Sequence, residues 1–201
     1  MEFVKEFATF LHQKGIIKFG EFTLASGKKS SYYVDLRLVP SYPHEFRKMV
    51  KYLENEIVQN IGLDKFDSIV SVPTGGLVIA SALAIETVKP LIYVRSKPKD
   101  YGTSKSVEGK IHDGMKVVMI DDVATTGGSV VNAIKSLKEV NISIKDAYVI
   151  VNRMEGADKA MEELGVKMHS ILNILQITES LHEQNLVDND VLDKVKKQIG
   201  K

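Results

Sequence analysis

From Pro43 onward the hydrophobic positions switch back and forth between two periods. Apolar residues at helical spacing predict a helix from Pro43 to about Asn60, a second over Leu77–Thr87 and a third carrying Val130, Ala133, Ile134 and Leu137. Between them, short apolar runs at Ser68–Val72, Leu91–Val94, Val117–Ile120 and Ala147–Val151 read as strands, the run Val117–Ile120 as one buried on both faces. A helix over Ala157–Leu164, an apolar run over Met168–Leu175 and a terminal helix over residues 187–199 complete the pattern. Such alternation implies right-handed crossovers, so the fold class is α/β, with a mostly parallel central sheet flanked by helices. Ahead of it, Phe3, Phe7, Phe10 and Leu11 stripe a helix over residues 2–14 that Gly15 ends. Phe22 to Leu38 then read as short strands around a turn at Ser26–Lys29. Residues 1–42 are therefore expected as a small preface and 43–201 as the core.

Composition narrows the class without naming a reaction. A chain of 201 residues with 44% hydrophobic content supports one well-cored domain plus a small appendage. The formal net charge of +1 gives no global field for nucleic acid or anionic membrane, so basic chemistry has to be local. Absence of cysteine removes disulfides, thiolate metal sites and cysteine nucleophiles. The acidic, amphipathic start is no signal peptide and no apolar run reaches membrane-spanning length, so the expectation is a cytoplasmic enzyme with neither nucleic acid nor membrane as partner. His12, His44, His112, His169 and His182 show no i, i+3 or i, i+4 pairing, which argues against a protein-built zinc site.

The chemistry concentrates in VVMIDDVATTGGSV, Val117 to Val130. Asp121 and Asp122 fall at the carboxyl end of a predicted strand, where open α/β sheets bind ligands. Thr125, Thr126 and Ser129 supply hydroxyl donors, Gly127 and Gly128 allow close backbone approach, and the following helix presents unpaired N–H groups. A phosphate suits that loop. The carboxylates would repel it and need donors such as sugar hydroxyls, each charge-assisted bond contributing roughly 1.5–3 kcal/mol. A metal held directly by the pair ranks lower, because adjacent strand residues point to opposite faces. SVPTGGLVIA, Ser71 to Ala80, is a second strand-to-helix turn, and its Thr74, Gly75 and Gly76 make a nest suited to pyrophosphate. Neither GxxxxGK[ST] nor GxGxxG occurs.

The acidic run resembles the phosphoribosyl pyrophosphate (PRPP) signature of type I phosphoribosyltransferases. That resemblance implies that Asp121 and Asp122 hold the ribose 2′ and 3′ hydroxyls, while Val123, Ala124, Thr125, Thr126, Gly127, Gly128 and Ser129 wrap the 5′-phosphate. VRSKPKDYGTSKSVEGK, Val94 to Lys110, is similar to the catalytic loop of the orotate branch, usually Arg-Lys-x-x-Lys-x-His-Gly. Arg95, Lys99 and Gly102 match; Ser96 replaces a lysine and Tyr101 a histidine. The resemblance makes residues 95–110 a mobile loop shared across a homodimer, with Arg95, Lys97, Lys99 and Lys105 on PRPP and Lys99 catalytic. GEFTLASGKKSSYYVDLR, Gly20 to Arg37, resembles the orotate-branch hood, although Ala25 stands where many members carry a substrate-touching lysine. Lys28, Tyr32 and Tyr33 of this hood, with Thr125 and Arg153, are then the orotate-side residues, Arg153 gripping the substrate carboxylate bidentately.

The family likeness implies a type I phosphoribosyltransferase fold with a small N-terminal hood. It implies transfer of the phosphoribosyl group of PRPP to orotate, giving orotidine 5′-monophosphate and pyrophosphate in pyrimidine biosynthesis. Mg²⁺ is the expected cofactor, held mainly by PRPP and water with no direct protein ligand. Two alternatives stay open on the residues: a transferase for another base, and a PRPP-binding regulator without turnover.

Overall fold

The computed structural model describes residues 2–24, 27–95 and 106–201. In chain order the elements are α1 (Glu2–Gln13), β1 (Ile17–Thr23), β2 (Lys29–Val34), a 3-10 turn (Leu36–Ser41), α2 (Pro43–Asn60), a second 3-10 turn (Leu63–Lys65), β3 (Ser68–Ser71) and α3 (Gly75–Thr87). There follow β4 (Leu91–Val94), β5 (Val107–Glu108), β6 (Lys116–Ala124), α4 (Gly128–Glu139), β7 (Ser143–Asn152), α5 (Ala157–Glu162), β8 (Lys167–Asn173), α6 (Ile174–Glu183) and α7 (Asn189–Gln198). The chain falls into two units, residues 47–171 and residues 1–46 with 172–201.

The larger unit is built on a six-stranded sheet of order β5-β4-β3-β6-β7-β8. β3 pairs parallel with β4 and β6, and β6 parallel with β7, while β5 runs antiparallel to β4. The mostly parallel sheet expected from the alternating pattern is present. Its core gathers Val117 and Met119 of β6, Ala147 and Val149 of β7, and the inner stripe Val130, Ala133, Ile134 and Leu137 of α4. β6 extends beyond its apolar run, because β7 runs alongside it for its full length and keeps pairing as far as Val123 with Val151 and Ala124 with Asn152. The acidic pair therefore sits within the last turns of the pleat, held by sheet hydrogen bonding.

In the smaller unit α1 buries Phe7, Ala8 and Leu11, and Gly15, at φ 64°, ends it as expected. β1 and β2 form an antiparallel hairpin with an irregularity between Phe19 and Phe22. Residues 36–38, expected as strand, instead form the 3-10 turn, because the Asp35 side chain accepts a hydrogen bond from the Arg37 N–H and closes it. The apolar run Met168–Leu175 divides into β8 and α6, a helix the periodicity did not separate; Asn173 and Gln176 form a reciprocal capping box at the break. Residues 172–201, expected with the core, group by packing with the amino-terminal residues, since α6 lies against α1 and α7 against both α6 and β2.

Candidate active site

Two strand ends and two helix starts converge in the larger unit. β3 closes on Ser71, whose Oγ donates to the Ile120 carbonyl of β6 at 2.7 Å. The chain turns through Val72, Pro73 and Thr74, with a cis peptide between Pro73 and Thr74. α3 then begins at Gly75, two residues before its first predicted position. Both glycines lie directly against the acidic pair. A Cβ on Gly76 would sit 2.5 Å from Asp121 Oδ1, 2.9 Å from Asp121 Cα and 2.9 Å from Ser71 Oγ, and one on Gly75 would land on the Asp122 carboxylate. The Thr-Gly-Gly turn thus has a packing reason beside its suitability for an anion: only hydrogen fits between the turn and the carboxylates.

Asp121 is buried, at 6% exposure, and Asp122 is half-buried. The Asp122 N–H donates to Asp121 Oδ1 and the Val123 N–H to Asp122 Oδ1, both at 2.9 Å. Burial, followed by the adjacent Asp122 carboxylate, pushes the Asp121 pKa well above the usual carboxylate value. Two acceptor groups held so close call for an incoming partner rich in donors or positive charge. The loop beyond supplies the complementary character. Gly127, at φ 79°, precedes α4 in the left-handed region, and a Cβ there would press to 3.3 Å of Ala157 Cα. Thr126, Gly128 and Ser129 are exposed, and neither α3 nor α4 has a side-chain cap on its first N–H groups. Both helix starts can therefore receive an anion.

Arg153 leaves the end of β7 at the same sheet edge, its N–H donating to the Ala124 carbonyl at 2.9 Å. Its guanidinium is almost wholly buried and sits 2.9 Å from the Glu155 carboxylate, itself buried. The sequence reading placed Arg153 at this edge but overlooked Glu155, although an acid two residues beyond the arginine was visible in NRMEG. Arg95 pairs with Glu108 at 3.2 Å, and its N–H donates to the Ser106 carbonyl at 2.8 Å, so the two ends of the basic segment meet at the β4–β5 edge. Ser96, Lys97, Lys99, Tyr101, Gly102 and Lys105, like Ala25, lie outside the described residues.

In the smaller unit, Lys28 is exposed and Tyr33 half-buried. The Tyr33 hydroxyl accepts from Arg37 at 3.3 Å, and its ring lies 5.8 Å from that of Phe22. Tyr32 corrects the expectation. It is fully buried, because the pleat that turns Tyr33 outward turns its neighbour into the core of the unit. Among the described residues no group of three His, Asp or Glu side chains could hold a metal ion.

The chain is similar to known proteins over nearly its whole length. A family model described as the phosphoribosyl transferase domain matches residues 43–175. A protein of Cenarchaeum symbiosum named orotate phosphoribosyltransferase is 48% identical over 97% of this chain and 98% of its own length, and one of Sulfolobus acidocaldarius is 39% identical over the whole of both. Among solved structures, orotate phosphoribosyltransferase from Aeropyrum pernix superposes with TM-score 0.77 at 33% identity, covering 90% of this chain and 99% of that one. UMP synthase of Leishmania donovani superposes with TM-score 0.83 at 31% identity over 98% of this chain, which spans only 42% of that longer protein. The chain belongs to the phosphoribosyl transferase family, in its orotate phosphoribosyltransferase branch.

Proposed function

We propose that this chain transfers the 5-phosphoribosyl group of PRPP to orotate, releasing pyrophosphate and forming orotidine 5′-monophosphate for pyrimidine synthesis. The observation that carries this reading is the seating of Gly75–Gly76 against Asp121–Asp122. It brings two uncapped helix starts around one acidic pair, a layout matching a sugar with phosphate at both ends.

Transfer breaks the bond from ribose C1 to pyrophosphate, so positive charge grows on the sugar and negative charge on the leaving group. Asp121 and Asp122 accept from the ribose hydroxyls and fix the ring for attack by the base nitrogen. Residues 123–129 and the start of α4 hold the 5′-phosphate, while Thr74, Gly75 and Gly76 take the pyrophosphate. Arg95, Lys97, Lys99 and Lys105 stabilise the departing charge, Lys99 most strongly in the transition state. Arg153 receives the substrate carboxylate after exchanging partners with Glu155, with Thr125 beside the base. Lys28 and Tyr33 are the hood's orotate-side residues; Tyr32 is dropped. No covalent nucleophile is needed.

Mg²⁺ suits these residues as an ion carried on PRPP and water, since the Asp121–Asp122 pair offers acceptors to its bound waters. When bound, it neutralises part of the pyrophosphate charge.

A homodimer is part of the same reading. α3 carries apolar residues on its outer face as well as its inner one: Ile85 is 80% exposed, Val88, just past its end, is 88% exposed, and Val78, two turns before Ile85 on the same stripe, is exposed as well. An all-round apolar helix is one that expects a covering surface. We place the enzyme in the cytoplasm; no helix among the described residues is long and apolar enough to cross a membrane. The test is orotate absorbance loss with PRPP and Mg²⁺, paired with pyrophosphate release. Both signals in equal amounts are expected; turnover of another base with none of orotate would overturn the assignment.

A further inference from the structure

The hood hairpin contains a defect that a residue near the far end of the sequence repairs. Phe19 pairs with Tyr32 and Phe22 with Ser30, so Gly20 and Glu21 together face Ser31 across the irregularity. At such a bulge the ladder is interrupted, and the residue opposite needs another partner. Gln198, at the end of α7, provides it. Its Oε1 accepts from the Ser31 N–H at 2.7 Å and the Ser31 hydroxyl at 2.8 Å, and its Nε2 donates to Ser30 Oγ at 3.1 Å. Ser30 is buried and its hydroxyl donates onward to the Tyr32 carbonyl at 2.7 Å, so the network runs along β2 to the residue before Tyr33. A cavity of about 630 Å³, with Phe19, Lys29, Val191 and Lys194 in its walls, runs beside the seam between hairpin and α7.

We propose that Gln198 is a positioning residue for the orotate side of the reaction, acting through β2 on Tyr33 and Lys28. The inference rests on the orotate reading above and adds a residue outside every motif of that reading. Removing the amide leaves the Ser31 N–H without its acceptor and frees the bulge to shift register. A one-residue slip in a strand exchanges its two faces, which would turn Tyr33 away from its present orientation. The PRPP residues belong to the other unit and are untouched by this network.

The test is steady-state kinetics on the full-length chain with Gln198→Met, which keeps length and helix propensity but cannot accept, and with Gln198→Glu, which still can. Expected is a KM for orotate raised roughly five- to tenfold in Gln198→Met, with the KM for PRPP unchanged, and near wild-type values in Gln198→Glu. Ser31→Ala, which keeps the N–H, should shift the orotate KM in the same direction by less and serves if Gln198→Met does not fold. An unchanged orotate KM, an equal rise for both substrates, or a Gln198→Glu variant as impaired as Gln198→Met would each overturn the positioning role. If the wild-type chain consumes PRPP but no orotate, it is the orotate reading that falls, independently of the variants.

Discussion

Replacing Gly76 by alanine asks whether the glycine turn is shaped by the carboxylates behind it. Helix propensity alone favours the change, since alanine is better than glycine inside a helix by about 1 kcal/mol. The packing says otherwise. The new methyl would stand 2.5 Å from Asp121 Oδ1 and 2.9 Å from both Asp121 Cα and Ser71 Oγ, and two of those three atoms are fixed by β6 and by the Ser71–Ile120 hydrogen bond. Overpacking of this kind costs about 1–3 kcal/mol, so after the propensity gain the net loss is up to about 2 kcal/mol, or a Tm lower by up to about 8 °C for a chain of this size. The carboxylate is the part best able to move, and its displacement sacrifices one ribose bond, weakening PRPP roughly 10- to 100-fold. Gly128 supplies the control. It too lies in the first turn of its helix, as the first residue of α4 where Gly76 is the second of α3, but a Cβ there meets only Thr126 Oγ1, at 3.9 Å. Gly128→Ala should therefore be neutral or more stable by up to about 1 kcal/mol. Thermal unfolding of both variants, with calorimetric titration of PRPP into Gly76→Ala, decides the matter. A Gly76→Ala protein as stable as Gly128→Ala, with PRPP affinity intact, would refute the argument.

Four further outcomes are expected. Asp121→Asn should stabilise the ligand-free protein at neutral pH: a raised folded-state pKa means the charged form is penalised, a penalty that opens as pH rises above the unfolded value near 3.8 and saturates above the folded one. Urea melts should show the advantage closing toward acid pH, and a variant less stable at pH 7 than at pH 4 relative to wild type would contradict this; with Asp122→Asn added, PRPP binding should be lost while the fold persists. Arg153→Ala should weaken orotate by about 1–3 kcal/mol and PRPP far less, and should destabilise the fold by roughly 3–5 kcal/mol because the buried ion pair loses its cation; adding Glu155→Gln should restore stability but not orotate affinity, and recovery of both would make the arginine structural. Ile85→Glu should shift the chain toward monomer in sedimentation, whereas an unchanged distribution would remove α3 from the interface. Mixing a Lys99→Ala protein with an Asp121→Asn, Asp122→Asn protein should regain activity if the basic segment acts in trans; none after verified subunit exchange would defeat the shared site.

Much of the core was legible because its signals are local. The alternation of periods placed β3, β4, β6 and β7, and the strand–acid–glycine order put Asp121, Asp122 and the two turns at one sheet edge. Signals set by distant partners were harder. Nothing between β8 and α6 breaks the apolar run, and the capping pair Asn173 and Gln176 was the one readable mark. Tyr32 and Tyr33 are chemically alike in sequence, and only the hairpin register decides which is core. Glu155 was overlooked because a family match assigns Arg153 a ligand, while the ligand-free protein must satisfy the same cation from within.

The smaller unit is assembled from both ends of the sequence, with all of residues 47–171 in between. During synthesis, at about 5–20 residues per second, α1 and the hairpin emerge roughly 6–25 s before α6 and α7 exist to cover them. Over that interval Phe7, Leu11 and Tyr32 have no finished core to enter, and the bulged hairpin lacks its distant amide. The continuous larger unit has no such wait. Vectorial synthesis should therefore produce a nascent protein whose larger unit matures first and whose smaller unit is completed last, so that ribosome stalling or carboxy-terminal fusion would disturb the amino-terminal hairpin before anything else.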